Sequence, residues 1–80
     1  MKAKIIKTEI TEEGRALITV QITDDSGFSW EKAFDYYTTQ EIKLNDLKQR
    51  ITDEIKQDLK LVDQLKEIKK ETGKEFDITI

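Results

Sequence analysis

GFSWEKAFDYY, residues 27–37, holds five of the chain's six aromatic residues. Phe28, Trp30, Phe34 and Tyr36 are separated by even numbers, so in a strand, where successive side chains alternate, they share one face. Ser29, Glu31, Ala33 and Asp35 point the other way. One apolar and one polar face is the pattern of a half-buried strand, and the aromatic set reads as core rather than as a platform for ligands. Lys32 falls on the aromatic face and must run its stem to the sheet edge or sit at a bulge. Tyr37 points opposite to Tyr36 and is the candidate exposed aromatic.

Upstream, Thr11-Glu12-Glu13-Gly14 and Asp24-Asp25-Ser26-Gly27 each end in glycine. That suits a type I turn closed by a residue of positive φ, the geometry of a short hairpin loop. Residues 4–10 and 15–23 on either side of the first turn are rich in Ile, Val and Thr, as strands are. In the second of these Ala16, Ile18, Val20 and Ile22 share one face, and Leu17, Thr19, Gln21 and Thr23 the other. Three strands joined by two hairpins form an antiparallel meander.

Beyond Tyr37 the period changes to three and four. Thr38 with Glu41 forms a possible capping box, and Asn45-Asp46 offers a second helix start. Leu44, Leu47, Ile51, Ile55, Leu59 and Val62 then make one helical stripe. Lys69 and Lys70 suit the negative pole of a helix end, and Gly73 suits its C-terminal cap. Residues 75–80 alternate again, as a short final strand would. The expected architecture is α+β, in the order β-β-β-α-β, with residues 1–80 as a single domain and one long C-terminal helix packed on the sheet.

A helix over residues 45–72 extends about 42 Å, longer than the strands expected beside it. Leu61, Leu65 and Ile68 carry apolar character into the overhang, displaced from the Ile51, Ile55, Leu59 stripe by a quarter to a third of a turn. Asp58 falls between the two. Either the helix curves or breaks there and turns the carboxylate to water, or Asp58, Leu61, Leu65 and Ile68 face another chain.

Composition narrows the functions open to such a chain. Apolar residues make up 36% and charged residues 39% of the 80 positions, a soluble yet foldable balance. A chain this short buries only about 60% of the surface it exposes when unfolded, so its core is thin. With no cysteine and no histidine, neither a disulfide nor a Cys/His metal site can reinforce it. Self-association is the remaining support. A net charge of −3 does not attract phosphate, which disfavours nucleic acid as a partner. No run of about 18 apolar residues is present to span a bilayer, and lysines interrupt the apolar residues at the amino terminus, unlike a signal peptide. A cytoplasmic protein is expected.

Catalytic and cofactor motifs are not found. Ser29 lies in a sequence resembling a nucleophile elbow, but the closing glycine is absent and no histidine could act as base. The acidic turn at residues 24–27 lacks calcium-loop spacing, and Asp53, Glu54 and Asp58 are ordinary for a solvated helix face. No catalytic, cofactor or metal residues are assigned. The whole layout, two glycine-closed hairpins, Trp30-x-x-x-Phe34, Thr38-x-x-Glu41 and a long charged helix, resembles small proteins encoded by tailed phages and prophages. That resemblance implies a virion or assembly component. The leading expectation is a non-enzymatic protein forming a homodimer or higher homo-oligomer through its helix, with another protein partner possible. The alternative is a single-stranded nucleic-acid binder using the aromatic strand.

Overall fold

The computed structural model describes residues 1–37 and 39–79. It has three antiparallel strands followed by one long helix, an α+β arrangement: β1 (Lys2–Ile10), β2 (Arg15–Thr23), β3 (Ser29–Tyr37) and α1 (Leu44–Lys69). The chain divides into two compact units, Met1–Leu44 and Asn45–Ile80.

In the first unit the sheet order is β1-β2-β3, with β2 at the centre. Both turns close as their glycines predict. Gly14 and Gly27 have φ of 77° and 87°, a region open to glycine because it lacks a Cβ. Gly14 N–H donates to Thr11 C=O at 2.9 Å and Thr11 N–H to Arg15 C=O at 2.8 Å. Asp24 holds the second turn, its Oδ1 accepting from the Ser26 and Phe28 backbone N–H groups at 3.0 Å each. The short polar side chain thereby supplies acceptors that the turning backbone would otherwise lack.

Register follows the faces read from the sequence. Ala16, Ile18, Val20 and Ile22 lie opposite Tyr36, Phe34, Lys32 and Trp30. Ile18, Val20, Ile22 and Phe34 are buried, while Trp30 and Tyr36 are half-buried. Lys32 sits in unbroken register opposite Val20 and is half-buried, so no bulge is used to remove it from this face.

The irregularity lies in β1 instead. Ile5 pairs with Val20 but Lys7 pairs with Thr19, leaving Ile6 as an extra residue. Such a bulge resets the alternation. Ala3, Ile5, Thr8 and Ile10 therefore join the Val20 face, and Lys2, Lys4, Lys7 and Glu9 the opposite one. The break is visible in the sequence as two adjacent isoleucines between lysines. Every residue of β1 is exposed, in contrast to the buried alternation of β2.

In the second unit α1 is a 26-residue helix, about 39 Å long. It starts at Leu44, close to the Asn45-Asp46 alternative; Thr38 of the other lies outside the described residues. Asp46 in the first turn and Lys66 and Lys69 in the last complement the helix dipole. The α-helix ends at Lys69, and tighter turns carry the chain on: Glu71 N–H donates to Ile68 C=O at 2.9 Å and Thr72 N–H to Lys69 C=O at 3.0 Å. Gly73, with φ of 84°, closes the end. Residues 74–79 form no strand, so the final strand expected over 75–80 is not seen among its described residues. Alternation prepares two faces, but a strand also needs a neighbour for its backbone N–H and C=O groups.

Candidate functional site

The helix is continuous through Asp58, which excludes the break considered there. Its residues 47, 51, 54, 58, 61, 65 and 68 recur at alternating steps of four and three, a heptad row that drifts only about 20° per heptad on a straight helix. Five members are apolar. The two in the middle, Glu54 and Asp58, are half-buried acids.

Exposure divides this row. Leu47 and Ile51 are 3% and 6% exposed, whereas Leu61, Leu65 and Ile68 are 55%, 45% and 68% exposed. Leu61, Leu65 and Ile68 thus continue the row that begins with two covered residues, while burial in the distal half falls beside them on Val62, 4% exposed. The heptad spacing was legible in the sequence. It is missed when only apolar residues are counted, because the two acids interrupt the row. Around it the helix carries a solvated polar surface, with Gln49 Nε2 donating to Asp53 Oδ1 at 3.0 Å, and Lys70 just past its end pairs with Glu67 at 3.0 Å.

In the first unit Tyr37 is 60% exposed at the end of β3. It is held rather than loose. The Arg15 guanidinium lies 4.7 Å from the ring centroid, and Arg15 Nη2 donates to the Tyr37 hydroxyl at 3.2 Å. Arg15 Nη1 also pairs with Asp35 at 2.5 Å. This cross-strand cluster follows from register, since Arg15 is opposite Tyr37.

An open groove of about 490 Å³ lies at the same end of the sheet, lined chiefly by Thr8, Ile10, Ala16, Ile18 and Ile42. Glu9 is the one carboxylate in its lining. That lining offers no pair of acids for general acid and base work and no nucleophile with a base beside it. Among the described residues no three metal-ligating side chains cluster, and no helix is long and apolar enough to cross a membrane.

No protein-family model, curated protein or solved structure matches the chain.

Proposed function

We propose that this chain is a non-enzymatic assembly protein that joins a second copy of itself through the C-terminal half of α1. The observation that carries the reading is the exposure of Leu61, Leu65 and Ile68 on a heptad row whose first two members, Leu47 and Ile51, are buried. Solvation of three consecutive apolar members of one row costs free energy that packing against the same row of another helix recovers. The likeness in layout to small tailed-phage proteins is compatible with an assembly role.

Magnitudes set the strength of this contact. Covering the remaining exposed part of each side chain is worth about 1 kcal/mol, hence about 6 kcal/mol for the three in both copies. Association costs roughly 4–15 kcal/mol in lost translational and rotational freedom. The row alone supports a weak dimer. Tight assembly needs further contact.

Size-exclusion chromatography with light scattering tests the proposal. At high micromolar concentration the chain should have a mass above the 9.4 kDa of one copy, and Leu65→Asp should return it to a monomer. A monomer throughout, indifferent to Leu65→Asp, rejects the reading.

Single-strand nucleic-acid binding is less well supported, because such binders stack bases on open aromatics and Phe34 is 2% exposed. Trp30 fluorescence unquenched by single-stranded DNA at low salt would remove that alternative.

A further inference from the structure

Two uncovered segments carry inverse patterns. β1 is an edge strand, so one side of its backbone has no ladder partner among the described residues. The bulge at Ile6 places Lys2, Lys4 and Lys7 on one face, with Ala3 and Ile5 on the other. In the segment after Gly73, Glu75 and Asp77 alternate with Phe76 and Ile78, which are 76% and 69% exposed. Among the described residues Lys2, Lys4, Glu75 and Asp77 form no ion pair.

We propose that residues 75–79 of one copy add as a strand to the free edge of β1 in a second copy. Glu75 and Asp77 then lie on the lysine face, and Phe76 and Ile78 on the apolar face. In a parallel alignment Glu75 meets Lys2, Phe76 meets Ala3, Asp77 meets Lys4 and Ile78 meets Ile5. All four contacts are complementary. The added ladder also satisfies backbone groups that an edge strand leaves open, which is how extended segments dock on sheet edges.

The inference rests on the reading that two copies meet through α1, and it supplies the further contact that reading needs. The charge and apolar alternation of the tail is the inverse of that on β1 of the same sequence, so a second copy is the occupant.

The chain has no cysteine, so introduced thiols report contacts cleanly. Ala3→Cys and Phe76→Cys chains, mixed and oxidised, should give a mixed covalent dimer as the main product, and the doubly substituted chain should also cross-link between copies. Glu75→Lys with Asp77→Lys in the Phe76→Cys chain should lower the yield at least tenfold, and Lys2→Glu with Lys4→Glu in its partner should restore it. A disulfide closing within one doubly substituted chain overturns the choice of occupant. A mixed-disulfide yield no higher than that of Phe76→Cys with an exposed Lys56→Cys control overturns the docking. If that occurs while a chain ending at Gly73 keeps the full chain's dimeric mass, the tail contact fails and the helix contact stands. A full chain that is monomeric at every concentration overturns both.

Discussion

Along α1 apolar residues of the same kind meet opposite surroundings. Leu47, Ile51 and Val62 are buried; Leu61, Leu65 and Ile68 are exposed. An apolar row on a helix states only that cover is required. It does not state where the cover comes from.

Substitutions at the two ends should separate the roles. Ile51→Ala should cost about 2–4 kcal/mol in denaturant unfolding, since it opens a cavity at a buried site. Leu65→Ala should cost less than about 1 kcal/mol when unfolding is measured on the monomer at high dilution. Equal losses at both positions would erase the contrast.

The acids between the two ends provide the next test. Asp58→Leu makes the row more apolar beside Leu61 and should tighten self-association by about tenfold, or about 1.4 kcal/mol, read from the concentration dependence of the mass. Unchanged or weaker association would show that the acid is not the element limiting the contact.

A smaller effect is expected at the end of the exposed half. Gly73 has φ of 84° with open space where a Cβ would stand, so Gly73→Ala should cost about 1 kcal/mol through backbone strain alone. The loss should appear as faster amide exchange in the last turns of α1. As a control remote from the row in sequence, Arg15→Ala removes an ion pair and a ring contact on exposed side chains and should cost about 1 kcal/mol or less, with no change in mass.

Much of the fold was legible because its causes are local. Gly14 and Gly27 mark turns that need positive φ, even spacing marks the shared face of Ile18, Val20 and Ile22, and steps of three and four mark α1. Gly73 likewise announced the end of the helical segment. The bulge at Ile6 was not read from the sequence, where a bulge was considered only at Lys32; its trace is the paired isoleucines that break the lysine alternation, and it changes faces only once β2 sets the register. The exposed aromatic was a matter of parity: Tyr37 follows Tyr36 and must point away from it. Its clasp by Arg15 was not readable, because that contact joins residues 22 positions apart in sequence.

Sequence by itself determined the order of elements, the turns, the two faces of β2 and β3, and the apolar row on α1, since each depends on steric preferences and periodicities within a few residues. Tertiary structure decided which members of those faces are covered: Ile22 and Ile51 are buried, while Ile5 and Leu65 are exposed. Burial of a given side chain is supplied by atoms brought from elsewhere in the chain. No local pattern of hydrophobicity contains that information.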